Sequence, residues 1–336
     1  MKSEKQAYSV PIQYRNLFAL EDPDIGNGEF RLRDFKFLLR SFGISKNNFI
    51  ARVPEKWVSL LKEKVRVLPD GPRKTNFLDI LNNKSPDSLR KKLLSAPRVA
   101  HSYDEKQSFV KNLIRLQEEH KVFEAVFINR EEGEKDKQED NNRLYSISEV
   151  LDNDTLRKQL KLEGNASVWI KPEPDHFAIV CEPLFELSKE VYIQDPYLNP
   201  FSEIGHDRIF EAIYKKMAAC QVDTLKVIFN RSELTKKNVD EEKVDTYFDN
   251  IRQKVDRNIR VEKRILDYAA LKLDSNDGQV VHDVSHKRYI YSIYGGIEFD
   301  KGIQETGRKN ETIVNFFPSE NFHEFKKAYD TIFSMD

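Results

Sequence analysis

Cysteine is nearly missing from this chain, with two residues in 336, Cys181 and Cys220. Both sit among apolar neighbours, in Ala178-Ile-Val-Cys181 and Met217-Ala-Ala-Cys220. They read as reduced core residues, which argues against a disulfide framework of the secreted kind. An excess of one charge is missing too: 55 Lys and Arg against 56 Asp and Glu leave a formal net charge of −1. Dedicated nonspecific DNA binders carry a clear basic excess, so any nucleic-acid surface here has to be local. No segment reaches the roughly 20 apolar residues of a membrane span. Met1-Lys-Ser-Glu-Lys-Gln6 has no apolar signal run, so the expectation is a cytoplasmic protein with no membrane partner. No Gly-rich loop ends in Gly-Lys-Ser/Thr, no Gly-x-Ser-x-Gly elbow occurs, and no His/Cys cluster has zinc spacing. These absences argue against P-loop, serine-hydrolase and zinc chemistry, and no cofactor or metal is expected.

What is present is a globular composition with a strongly solvated surface, 39% hydrophobic and 33% charged. Three amphipathic stretches precede residue 120. Leu32, Phe35, Leu38 and Leu39 share one helical face, as do Trp57, Leu60, Leu61 and Val65, and then Phe109, Leu113 and Leu116. Leu68-Pro-Asp-Gly-Pro72 and Leu81-Asn-Asn-Lys-Ser-Pro86 separate them. The expected organisation is a mainly helical region over 1–115 and an α/β domain over 116–336, interrupted by an acidic, solvated loop at 131–142. Within that domain, strands are expected near 122–129, 166–170, 177–181, 191–193, 225–229, 259–266 and 280–298. Helices are expected at 207–220, 240–255 and 321–335.

Two stretches carry the functional information. Val191-Tyr-Ile-Gln-Asp-Pro-Tyr-Leu-Asn-Pro200 is a strand running into a turn, and Ser285-His-Lys-Arg-Tyr-Ile-Tyr-Ser-Ile-Tyr-Gly-Gly296 is a β-rich run that begins beside a histidine. With the helix and strand between them, residues 184–302 resemble the second half of phospholipase D superfamily proteins. There an Ile-x-Ile-x-x-Pro-Tyr strand precedes a His-x-Lys-x4-Asp strand and a Gly-Ser turn. This chain has Arg288 at the lysine position, Ile293 at the aspartate position and Gly295-Gly296 in place of Gly-Ser. That set is similar to a divergent His-x-Arg branch, whose members include non-catalytic regulatory domains and bacterial proteins encoded beside anti-phage defence systems.

The resemblance implies a fold and a chemistry. The fold is a phospholipase D-like mixed β-sheet flanked by helices. In active members the motif histidine attacks phosphorus, a second histidine from another motif copy protonates the leaving oxygen, and cationic side chains stabilise the phosphoryl charge. No metal takes part. Carried over, His286 is the nucleophile and Arg288 the charge-stabilising group, since arginine keeps its charge and clamps phosphate at two points. Asp195, Tyr197, Lys287, Gly295, Gly296, Glu298 and Lys301 are the implied substrate-binding residues. With a single motif copy, catalysis needs a homodimer that brings two His286 side chains together. Two classes of function therefore stay open. One is a metal-independent phosphodiesterase or nuclease acting on DNA or RNA, as a component of an antiviral defence system. The other is a non-catalytic module that binds nucleic acid or a defence-complex protein partner. Each residue also has a plain structural reading. His286 can be a half-buried strand residue, Asp195 a turn residue bonding local amides, and the alternating tyrosines simple packing.

Overall fold

Five short strands organise the region that the sequence marks as helical. In the computed structural model, which describes residues 14–21, 32–82, 88–128, 144–164, 166–201, 206–255, 257–267, 288–303 and 311–334, β1 (Asn16–Leu20) lies at the centre of an all-parallel sheet. Its order is β3 (Leu93–Leu94), β2 (Asn48–Ala51), β1, β4 (Ala125–Ile128) and β5 (Leu144–Ser146). Both faces are covered. Phe18, Leu20, Ile50 and Phe127 pack on Phe35, Leu38 and Leu39 of α1 (Leu32–Arg40), on Trp57, Leu61 and Val65 of α2 (Trp57–Arg66), and on Phe77 and Ile80 of α3 (Pro72–Leu81). Leu17, Ala19, Phe49 and Val126 face the opposite way, toward Leu113 and Leu116 of α5 (Phe109–His120), which follows the short α4 (Pro97–Ala100). Strands buried on both faces read as continuous apolar runs with no alternation, which is why the helices alone stand out in this part of the sequence.

The expected division at 115/116 is therefore not where the sheets divide. β4 and β5 pair with the strands before residue 115, and the first sheet closes only at Ser146. Two short helices, α6 (Ile147–Asp152) and α7 (Asp154–Gln159), then lead to the second sheet.

The second sheet has seven strands, in the order β6 (Ser167–Ile170), β12 (Thr312–Phe317), β11 (Gly295–Phe299), β10 (Tyr289–Ser292), β7 (Glu190–Gln194), β8 (Thr224–Asn230) and β9 (Arg260–Leu266). β7, β8 and β9 run parallel, and the remaining pairings are antiparallel. One face carries α8 (Pro174–Leu187), α9 (His206–Ala219) and α11 (Glu241–Arg252), through Phe177, Leu184, Ile209, Ile213, Val244 and Phe248. α10 (Arg231–Thr235) is a short turn of helix after β8. On the opposite face, Tyr192, Ile228, Tyr289 and Tyr291 meet Phe325 and Tyr329 of α12 (His323–Ser334), with Phe322 from the turn before it. Tyr291 stacks between Tyr192 and Phe322, both ring centroids 5.0 Å away.

The architecture is α/β, with one parallel and one mixed sheet flanked by helices, as the sequence indicates. A single apolar cluster runs from Leu17, Ala19 and Phe49 through α8 to Val191 and Ile193, so both sheets share one core. Phe177–Cys181, expected as a strand, is part of α8. A short buried apolar run does not by itself distinguish strand from helix. Here Pro174 at the helix start and Asp175 in the first turn set the outcome. Among the described residues no helix is long and apolar enough to cross a membrane. The acidic 131–142 segment lies outside the described residues.

Candidate phosphodiester site

β7 leaves the second sheet through Asp195-Pro196-Tyr197, at the edge where the parallel strands end. β10 is antiparallel to β7 with Tyr289 opposite Gln194, so Arg288, just before β10, reaches the same edge. The turn after β11 arrives there as well, because the Phe299 N–H donates to the Arg288 carbonyl at 3.0 Å. The crevice outside the carboxyl ends of parallel strands is where α/β ligand sites tend to form.

Asp195 holds these segments together. It is 1% exposed, and Oδ1 accepts the Tyr197 N–H at 2.9 Å while Oδ2 accepts the Ile303 N–H at 3.1 Å. The first bond closes the local turn that Asp-Pro favours, and the second ties β7 to a segment 108 residues away. Gly302 makes the approach possible. Its φ is +83°, and a Cβ there would lie 2.9 Å from Arg288 Cδ and 3.3 Å from Asp195 Oδ2. Arg288 donates from Nη1 to the Asp300 carbonyl at 2.8 Å and lays its guanidinium over the Tyr197 ring, with Cζ 4.9 Å from the centroid. Tyr197 is 37% exposed. Of the five donors on the guanidinium, only the one on Asp300 makes a hydrogen bond among the described residues. Contact with an aromatic face restrains the fork without using its hydrogen-bond donors.

The structure thus brings together Asp195, Tyr197 and Arg288. His286 and Lys287 lie outside the described residues. Lys301 is on the adjoining turn, with Nζ donating to the Glu311 carbonyl at 3.1 Å. Glu298 pairs opposite Tyr289 and so shares its face, on the other side of the sheet from Arg288 and Asp195. Gly295 and Gly296 are at the far end of the β10–β11 hairpin, with Gly295 paired to Ser292. Packing explains both. A Cβ on Gly295, whose φ is +138°, would lie 2.7 Å from the Phe317 carbonyl oxygen, and one on Gly296 would lie 2.4 Å from the Phe322 ring. Ile293, at the motif's aspartate position, is 53% exposed on the same distant turn. The hairpin folds the second half of the motif away from the first.

Two residues without a sequence signature brace the loop. Asn230 donates to the Pro196 carbonyl at 3.2 Å, and Asn199 donates to the Glu233 carbonyl at 2.9 Å while accepting the Phe201 N–H at 3.0 Å. Gly302 is the third contributor, and the Asp300-Lys-Gly302 run is the signal that marks it.

The opposite face of the sheet carries charge of a different kind. Lys226 Nζ lies 2.9 Å from Asp330 and 3.1 Å from Glu190, beneath the Tyr192 ring at 5.3 Å. Burial pushes the Asp330 carboxyl up, and hydrogen bonds from Lys326, Lys226 and Tyr192 more than reverse it, leaving it below the usual carboxylate range. Burial, with hydrogen bonds to Glu190 and Asp330, pushes the Tyr192 phenol upward. This paired network fastens α12 to the sheet.

No family model matches the chain, and a search of curated proteins finds no match. Among the solved structures that match, two illustrate how low the similarity is. NucT from Helicobacter pylori aligns at a TM-score of 0.31 and 11% identity, over 49% of this chain and 92% of that one. TrmBL2, an archaeal chromatin protein described with a novel mode of DNA binding, aligns at a TM-score of 0.26 and 15% identity, over 91% of this chain and 93% of that one.

Proposed function

We propose that the chain engages the phosphodiester backbone of nucleic acid at the Asp195–Tyr197–Arg288 edge. The observation that carries this reading is the Arg288 guanidinium, lying over a partly exposed tyrosine between two turns that a buried carboxylate fixes. Arginine binds phosphate through a planar fork, and arginine beside an aromatic ring is the pairing used on single strands. Neither group requires a basic protein overall, which accords with a net charge of −1.

Cleavage is the second reading, favoured by His286 standing two residues before Arg288. In that reaction an imidazole nitrogen of His286 bonds to phosphorus as the P–O bond to the leaving oxygen breaks. A second imidazole gives that oxygen its proton, and water then hydrolyses the phosphohistidine. The second imidazole has to come from another copy of the chain. A role in bacterial antiviral defence rests on the sequence resemblance. The test is fluorescence anisotropy with labelled single-stranded DNA and RNA in EDTA, beside a cleavage assay on the same strands. R288Q and Y197A are expected to weaken binding by about tenfold, within the range for loss of one stacked base or charged contact. H286A is expected to abolish any cleavage while leaving binding intact. Absence of saturable binding by the wild type overturns the proposal.

A further inference from the structure

The turn after β8 stands beside the Tyr197 loop at the same edge of the second sheet. β7 and β8 pair in parallel with Gln194 opposite Ile228, so Pro196 comes level with Asn230. Asn230 Nδ2 donates to the Pro196 carbonyl at 3.2 Å, while its Oδ1 accepts the Ser232 N–H at 3.3 Å. Asn199 ties the far side of the loop to the Glu233 carbonyl at 2.9 Å. These bonds hold Arg231 one strand beyond the Tyr197 loop, just as Arg288 lies one strand before it. Arg231 is exposed, and its guanidinium makes one hydrogen bond among the described residues, from Nη2 to the Ile265 carbonyl of β9 at 3.1 Å. No described carboxylate is bonded to it. Glu241 senses its charge but is already bonded to Lys263 Nζ at 2.9 Å.

We propose that a single strand of nucleic acid crosses the ends of β10, β7 and β8, with one phosphate on Arg288, a base against Tyr197 and a second phosphate on Arg231. The path rests on the phosphodiester reading of Arg288 and gives that contact a direction and a minimum ligand length. Adjacent strands lie about 4.8 Å apart, so the ends of β10 and β8 are separated by about 10 Å. The reach of Arg231 toward β9 extends the separation to as much as about 15 Å. Phosphates along one strand are about 3.4 Å apart when the bases stack and farther when the strand is extended. About two to four nucleotide steps therefore join the two arginines, with the aromatic ring between them, the combination of cationic and stacking groups that single strands use. Exposed Asp267 and Asp300 share this edge, so binding there draws on the placed arginines and not on a general positive field.

The test is fluorescence anisotropy on the full chain with a labelled oligothymidylate of about 12 residues, in EDTA and at a series of salt concentrations, the probe exceeding the span just derived. R231Q is expected to bind about fivefold more weakly, with a slope of log K against log salt shallower by about 0.7, and R231Q with R288Q shallower by about 1.4. R260Q removes the same charge at the amino end of β9, on the opposite edge of the sheet, and is expected to stay within about twofold of wild type with an unchanged slope. A trinucleotide competitor needs no variant. Its two phosphates are one step apart and cannot bridge about 10 Å, so wild type should give it a slope shallower by about 0.7 than the longer strand. If R231Q fails to fold, this comparison decides. If R288Q weakens binding while R231Q matches wild type, or if the two strand lengths give equal slopes, the path is overturned and the Arg288 contact stands. R260Q losing as much as R231Q would also overturn the path, in favour of a general charge effect. If neither R288Q nor R231Q changes binding, both the path and the Arg288 contact fall.

Discussion

Replacing Asp195 by alanine removes two acceptors at once, and the loss can be worked from the geometry. The Tyr197 and Ile303 N–H groups, at 2.9 and 3.1 Å, each lose their carboxylate oxygen. A buried donor left unsatisfied costs about 1–3 kcal/mol. Tyr197 sits on a partly exposed turn where water replaces some of the loss, so the sum for D195A is about 2–4 kcal/mol. D195N keeps an acceptor for Tyr197 but turns its NH₂ group toward the Ile303 N–H, donor against donor, and is expected to lose about 1–3 kcal/mol. R288Q, which gives up one bond to a carbonyl and a surface cation–π contact, is expected to stay within about 1 kcal/mol of wild type. Urea unfolding followed by circular dichroism measures all three. D195A within about 0.5 kcal/mol of wild type, the usual range for surface substitutions, would refute Asp195 as the clamp of this edge.

Other outcomes follow from the same contacts. Gly302→Ala places a side chain at a φ of +83° and against Arg288, so it is expected to cost about 1–2 kcal/mol and to weaken oligonucleotide binding, measured by unfolding and anisotropy together. Gly296→Val drives a branched side chain into Phe322 at the far end of the hairpin, with a cost of about 1–3 kcal/mol and no change in binding by the folded protein. The folded Asp330 pKa lies below its unfolded value, so its stabilising contribution is present above about pH 4 and is lost as pH falls through the folded pKa. The stability difference between wild type and D330N should therefore be level near neutrality and shrink toward zero in acid, and a pH-independent difference would contradict the pairing with Lys226 and Lys326.

The second sheet was largely legible in the sequence because its elements differ in period. The 207–220 helix, the 225–229 strand and the Asp-Pro-Tyr turn stand where expected, within one or two residues. The first sheet was not legible. Asn16–Leu20 and Asn48–Ala51 are too short, and too fully buried on both faces, to alternate, while the amphipathic helices around them do. At the candidate site, Asp195, Tyr197 and Arg288 could be named because a Pro-Tyr turn and a His-x-Arg strand mark them. Asn199 and Asn230 could not, since each acts through a hydrogen bond to backbone 34 residues away. Gly295 and Gly296 looked like part of a phosphate turn, yet the two-residue turn at 293–294 folds them onto Ile44 and Phe322.

The most direct test of the central claim is the salt dependence of single-stranded DNA affinity for wild type and R288Q. Each phosphate contact to a single strand contributes about −0.7 to the slope of log K against log salt. If Arg288 holds a phosphate, R288Q should bind more weakly and give a slope shallower by about 0.7. Equal affinities, or parallel lines, would show that Arg288 touches no phosphate and would contradict the account.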